Sequence, residues 1–386
     1  VFNFTSALPL SLYIHTPWCL QKCPYCDFNS HKSPTVLPEM DYVDALIADL
    51  TQELPDVWGR SLESIFIGGG TPSLFSPQAL DRLLSQVRAL LNPRSGMEVT
   101  LEANPGTFEQ VKFAEFHDLG INRLSIGVQS FDDQMLQKLG RVHDGREALR
   151  ATEIAFKVGF DNVNLDLMFG LPEQSEKMAL ADLQQAIVLQ PQHLSYYQLT
   201  LEPNTAFAHQ PPTLPRDEPI WTMQEQGIEL LQASGYAGYE ISAYAQAGRQ
   251  CAHNLNYWQF GDYLGIGAGA HGKLTLPGEG RVLRRWKHRQ PEQYLSGVNG
   301  KGFVSGESNL ARDEIGLEFM MNALRLNEGV SSSLFLERTG QPLSVIAKPL
   351  QQAVDKGLLH WDHALVRPTE LGRRFLNDLL AMFLTE

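Results

Sequence analysis

Three cysteines fall within eight residues, Cys19, Cys23 and Cys26, spaced Cys-x3-Cys-x2-Cys. Thiolates crowded onto one short loop are typical ligands of iron–sulfur clusters. A four-iron cube wants four ligands, so three cysteines leave one iron open. That iron could take a small molecule through an amino and a carboxylate group. A structural zinc site would instead need a fourth Cys or His nearby. His15 is close in sequence, but its strand position points it the wrong way. The fourth cysteine, Cys251, lies far down the chain.

A loop of this kind has to be held by regular elements, and the pattern supplies them. Short apolar runs recur at Leu10–Thr16, Ser64–Ile67, Glu98–Ala103, Arg123–Val128, Asn162–Phe169 and His193–Thr200. Helical patterns lie between them. Val43, Leu46, Ile47, Leu50 and Leu54 share one helical face. Leu80, Leu83, Leu84, Val87 and Leu91 share another, opened by Ser76 as N-cap and Pro77 as the first helical residue. Further helices are predicted over Phe108–Asp118, Gly145–Val158 and Lys177–Leu189. Six β–α alternations predict a parallel sheet, because parallel neighbours need long crossovers. A closed eight-unit barrel usually takes about 250 residues. The expected fold is therefore α/β, a partial (β/α)6 barrel at residues 1–215.

Pro203, Pro211, Pro212, Pro215 and Pro219 mark a loop or boundary after the barrel. An α+β segment is expected at 216–305, with a helix at Trp221–Ala233 and strand-like pieces at Tyr239–Tyr244 and Tyr263–Ile266. The tail, 306–386, reads as helices at Arg312–Leu326 and Leu343–Lys356, a hairpin over Leu358–Arg367 and a helix from Thr369. This order resembles a winged-helix module.

The 386 residues are 43% hydrophobic and carry 31 basic against 44 acidic side chains, a net charge of −13. That mixture excludes disorder over most of the chain. It also argues against a broadly basic nucleic-acid-binding surface. Four cysteines are too few and too clustered for a secreted disulfide scaffold. No run approaches the length of a membrane span, and the first residues lack the charged start of a signal peptide. A cytoplasmic protein is the expectation.

Polar side chains at the C-terminal ends of barrel strands read as ligand contacts. Glu102 ends the third strand, Gln129 ends the fourth and Asp166 lies in the fifth. Gly68-Gly69-Gly70-Thr71-Pro72 follows the second, where a backbone without side chains can approach a ligand closely. With CxxxCxxC after the first strand, the chain resembles the radical S-adenosylmethionine (SAM) superfamily. In that superfamily the fold is a partial or full barrel, and a [4Fe–4S] cluster passes an electron to bound SAM. The resemblance implies cluster ligands at Cys19, Cys23 and Cys26. It implies SAM contacts at Tyr13, Tyr25, Gly69, Gly70, Thr71, Glu102, Gln129, Arg141 and Asp166. Arg141 either pairs with the SAM carboxylate or is a solvated arginine.

The runs YIHTPWC, FIGGGTPSL, LEANPGT, SIGVQSF, LDLMFGLP, HNLNYW and GIGAGAHG narrow the resemblance. Together they are similar to the coproporphyrinogen oxidase-like group and, within it, to the HemW haem chaperones. Thr16 stands where Ile is typical. The oxygen-independent coproporphyrinogen III dehydrogenases of this group, the alternative function, carry a further Cys where this chain has Phe28. The chaperone resemblance implies haem binding at His253, in HNxxYW, and transfer of haem to respiratory enzymes. From the residues alone, the favoured reading of His253 is a buried, hydrogen-bonded histidine beside core aromatics, and the resemblance reverses that preference. His271 is a second candidate ligand. Cys251 could ligate haem, attach to a vinyl group or simply fill core. Arg281, Arg284, Arg285, Lys287 and Arg289 surround Trp286. They could meet haem propionates, a flavodoxin-like electron donor or nucleic acid, or form solvated surface. The partners expected are haem-accepting proteins, such a donor and a second copy in a homodimer, with no nucleic acid and no transmembrane segment.

Overall fold

The computed structural model describes residues 2–4, 6–106 and 110–384. In chain order the strands begin β1 (Leu10–Thr16), β2 (Trp18–Cys19), β3 (His31–Lys32), β4 (Ser61–Gly69), β5 (Asn92–Ala103), β6 (Arg123–Gln129), β7 (Val163–Phe169) and β8 (His193–Gln198). They continue β9 (Ala237–Gly238), β10 (Ala243–Ala245), β11 (Asp262–Ile266), β12 (His271–Leu276), β13 (Arg281–Lys287) and β14 (Val304–Asn309). β1, β4, β5, β6, β7 and β8 pair parallel in that order, which is the expected six-unit partial barrel. Their residues are mostly buried, as strands covered on both faces must be.

The intervening helices carry the predicted apolar faces. Val43, Leu46 and Leu50 of the helix Glu39–Val57 are fully buried. Ser76 accepts a hydrogen bond from Ala79 N and caps the helix Pro77–Leu90, a contact generally worth about 1 kcal/mol. The helix predicted from Phe108 is observed over Phe113–Asp118, and residues 107–109 lie outside the described residues.

Strands after residue 215 extend this same sheet at both ends. β10 and β9 add antiparallel beyond β8. On the other side β11 pairs parallel with β1, and β12, β13 and β14 follow antiparallel. The expected units 1–215 and 216–305 therefore share one twelve-stranded sheet among the described residues. Alternation along the chain could not reveal this, because strand order depends on pairings far apart in sequence. The proline-rich stretch folds back over the cysteine loop, and Phe207 N donates to Pro24 O at 2.9 Å.

The tail forms its own core around Phe319, Phe335 and Leu350, against Phe260 from the sheet side. The tail also holds a three-stranded sheet of β15 (Val330–Ser331), β16 (Leu359–Trp361) and β17 (Leu365–Pro368), with β17 in the middle. The helix expected at Leu343–Lys356 opens with a 3-10 turn, Leu343–Ile346, before Ala347–Asp355.

Most of the basic run is not a free patch. Lys287 Nζ contacts Asp49 Oδ1 and Glu53 Oε1, both at 2.5 Å, and all three side chains are buried. Arg285 pairs with Glu53, Asp56 and Glu307, and Arg284 pairs with Glu318. Lys287 and Arg285 bolt β13 to the helix Glu39–Val57, and Arg284 ties it to the helix Ile315–Ala323, so the readings as propionate, donor or nucleic-acid surface do not hold for these three. Removing one partner from such a set strands buried charge. Lys287→Met is expected to lower unfolding free energy by about 3–5 kcal/mol in urea titration; a change within about 0.5 kcal/mol, typical of surface positions, would contradict this role.

Candidate functional site

β1 delivers the chain to the C-terminal rim of the barrel, where the cysteine loop begins. Two small pairings set the loop: β2 lies parallel to β3, and Ser33 N donates to Cys19 O at 2.8 Å. Cys26 N donates to Cys23 O at 3.1 Å, turning the segment between them. Lys22 Nζ reaches across to Ser30 O at 3.1 Å. All three thiols are half-buried, and they line one cavity of about 330 Å³. Burial pushes the Cys19 and Cys26 thiols up from their ordinary range. Arg141 Nη1 donates to Cys23 Sγ at 3.4 Å.

The trio fits a cluster better than a single ion. Among the described residues no three Cys, His, Asp or Glu side chains converge as they would around one metal. A four-iron core spreads its thiolates over separate irons, whereas zinc gathers its ligands around one point. His15 is unavailable, because Nδ1 is bonded to Tyr13 OH at 3.0 Å and Nε2 to Asn29 O at 2.9 Å.

The glycine turn lies against this loop. Gly70 N donates to Thr16 O at 2.6 Å and Thr71 N to Trp18 O at 2.8 Å. A Cβ on Gly70 would stand 2.5 Å from Trp18 O, so a larger residue would push the two segments apart. Gly69 has φ +108° and donates its N–H to Glu102 Oε2 at 3.0 Å. Thr71 accepts from Asn104 Nδ2 at 3.0 Å. Lys112, itself buried, donates to the carbonyls of Ser73, Leu74 and Phe75 and pins the segment beyond the turn.

Of the sequence-predicted residues, Tyr25, Gly69, Gly70, Thr71, Glu102, Gln129, Arg141 and Asp166 line the cysteine cavity. Arg141 is not solvated: Nη2 donates to Asn104 Oδ1 at 2.6 Å and to Gly127 O at 2.8 Å. Gln129 adopts φ +68° and accepts from Tyr197 OH at 2.7 Å. Asp166 accepts from Ser125 and Asn164, and burial raises its pKa. Sequence reasoning missed Asn104, Ser195, Tyr197 and Ser242 on the same wall. Asn104 follows Glu102 at a strand end and was within reach of the same rule; Ser242 arrives from a distant turn and was not.

Tyr13 faces a second cavity, of about 290 Å³. Phe28, Gly69 and Glu102 belong to both cavities. Tyr257, Tyr263 and His271 complete much of the second wall. His253 lies beneath that wall, only 2% exposed. Its Nδ1 is 2.9 Å from Ser64 Oγ, and its ring packs 5.2 Å from Phe66 and 5.1 Å from Tyr257. Among the described residues its buried Nε2 has no hydrogen-bond partner. Burial, then Arg123, holds its pKa down to about 3, so it is neutral. Trp258 carries Arg325 over its ring at 4.2 Å. Cys251 is fully buried, with Sγ 3.4 Å from Glu98 Oε1, and burial pushes its thiol up to about 12. The roles of ligand or vinyl attachment for Cys251 are therefore not supported; it fills core.

Residues 13–186 match the Radical SAM superfamily, and residues 310–375 match the HemN C-terminal domain. The chain is 50% identical over 378 residues to heme chaperone HemW of Escherichia coli strain K12, covering 98% of this chain and 99% of that protein. It is 35% identical over 383 residues to heme chaperone HemW of Bacillus subtilis strain 168, covering 97% and 99%. The mouse protein named radical S-adenosyl methionine domain-containing protein 1, mitochondrial, is 35% identical over 387 residues, covering 97% of this chain and 87% of its own. In structure the chain resembles coproporphyrinogen III oxidase (HemN) of Escherichia coli, with a TM-score of 0.82 at 23% identity, covering 97% and 90%.

Burial and Asp166 raise the Glu102 pKa from 4.5 to about 7. Between those values the folded state holds more protons than the unfolded one, so this group's contribution to stability falls as pH rises through that window. Glu102→Gln removes the dependence. The melting temperature of the variant minus that of the wild type should increase from pH 5 to pH 8; a constant difference in scanning fluorimetry would refute it.

Proposed function

The chain belongs to the HemW family within the radical SAM superfamily, and from that membership we infer that it is a haem chaperone, binding haem and passing it to haem-requiring proteins. Cys19, Cys23 and Cys26 would hold a [4Fe–4S] cluster, and SAM would bind above it. When bound, the pair supplies an anchored methionine group and an electron at the vacant iron. The chain's own residues prepare that place. Arg141 brings positive charge beside Cys23, the Gly69–Thr71 turn brings backbone close, and Glu102 and Asp166 offer carboxyl oxygens from neighbouring strands.

One observation supports haem as cargo in particular. The second cavity adjoins the first and is walled by Tyr13, Phe28, Tyr257 and Tyr263, flat surfaces suited to a porphyrin face. The HNxxYW segment contributes Tyr257 directly and His253 as support from behind. Recipients in this reading are respiratory enzymes, with a flavodoxin-like reductant, a cytoplasmic location and a homodimeric state. Among the described residues, no helix is long and apolar enough to cross a membrane.

The fold match to HemN keeps coproporphyrinogen III decarboxylation as the competing reading, which the exposed Phe28 at the further-cysteine position opposes. Anaerobic protein reconstituted with iron and sulfide, reduced with dithionite, then given SAM, coproporphyrinogen III and an electron acceptor, should leave the porphyrinogen unchanged, and in a separate assay should bind hemin and release it to an apo-haem protein. Formation of protoporphyrinogen IX would overturn the chaperone reading. Gly70→Ala, by moving the glycine turn off Trp18, should weaken SAM binding roughly ten- to hundredfold by calorimetry; wild-type affinity would show that this contact does not set the site.

A further inference from the structure

Three histidines stand at or behind the second cavity, and their surroundings differ. His15 has both ring nitrogens engaged within the protein. His253 is sealed behind Phe66 and Tyr257. His271, at the start of β12, is exposed and lines the cavity together with Tyr13, Tyr257 and Tyr263. We propose that His271, rather than His253, supplies the axial imidazole to haem iron in this cavity, an inference that rests on the haem-binding reading above.

The position is built rather than accidental. The His271 ring stacks on Trp286, with centroids 6.4 Å apart and planes at 24°. Gly269, with φ +81°, leaves room for the Asn29 side chain, and a Cβ there would stand 2.4 Å from Asn29 Nδ2. That amide donates to Ala268 O at 2.9 Å and to Arg289 O at 2.8 Å. The turn presenting His271 is thus fastened to the end of the cysteine loop. Partial burial of the ring, then the charges of Arg284 and Arg289, lower its pKa, which favours the neutral imidazole that can ligate iron. Arg289 is exposed and has no ion-pair partner among the described residues, leaving a cation beside the cavity for a propionate. Tyr257 and Tyr263, with centroids 4.2 Å apart, form an aromatic pair for the porphyrin face.

The test is hemin titration of cluster-loaded protein with the cluster in its diamagnetic oxidised state, so that the ferric haem alone gives the electron paramagnetic resonance signal. His271→Ala should lose the imidazole-ligated signal and bind hemin at least about tenfold more weakly. Added imidazole should restore the signal in His271→Gly, and His253→Ala should retain it. Circular dichroism of both His271 variants should match wild type, since His271 is exposed. A wild-type signal and affinity in His271→Ala, failure of imidazole rescue, or loss of the ligand signal in folded His253→Ala would each overturn the assignment while leaving haem binding itself intact. Failure of wild-type protein to bind hemin would instead remove the haem reading beneath it.

Discussion

The site depends on a seam where two backbone segments run against each other without side chains between them. Gly70 and Thr71 donate their N–H groups to the carbonyls of Thr16 and Trp18, and hydrogen at the Gly70 α-carbon lets the strands' ends close to that distance. This contact fixes the glycine turn relative to the first cysteine, and hence a ligand's backbone contacts relative to the cluster. Lys112 and Asn104 hold the far side of the turn, and Glu102 accepts from Gly69 at its centre. The donors that hold the turn come from main chain and buried side chains, so the geometry is set before any ligand arrives.

The same economy of contact joins the two cavities. Glu102 and Gly69 lie on both, and Asn29 ties the cysteine loop to the turn before His271. Beneath both, Glu98 receives the N–H groups of Ala252 and His253 and anchors the HNxxYW helix to the sheet. His253 thereby has a structural task, whatever else it does.

Much of this was legible in the sequence because it is local. Cys-x3-Cys-x2-Cys, the capped helix at Ser76 and the six buried strands each follow from neighbouring residues, and strand-end positions located Glu102, Gln129 and Asp166. What failed was non-local. Lys287 and Arg285 read as surface because their acidic partners, Asp49, Glu53 and Asp56, are more than two hundred residues away. Residues 216–305 read as a separate unit because pairing of β11 with β1 leaves no trace in periodicity. His253 was legible as a buried, hydrogen-bonded histidine beside aromatics, while its particular partners, Ser64 and Phe66, were not, and His271 drew less notice although the fold puts it in the open.

The central claim is that three cysteines leave one iron of a four-iron cluster facing the larger cavity. Mössbauer spectroscopy of protein reconstituted with iron-57, recorded with and without SAM, addresses it directly. The account predicts that SAM changes the parameters of one iron site and leaves the other three alone. A spectrum unchanged by saturating SAM, or four equivalent iron sites, would contradict it.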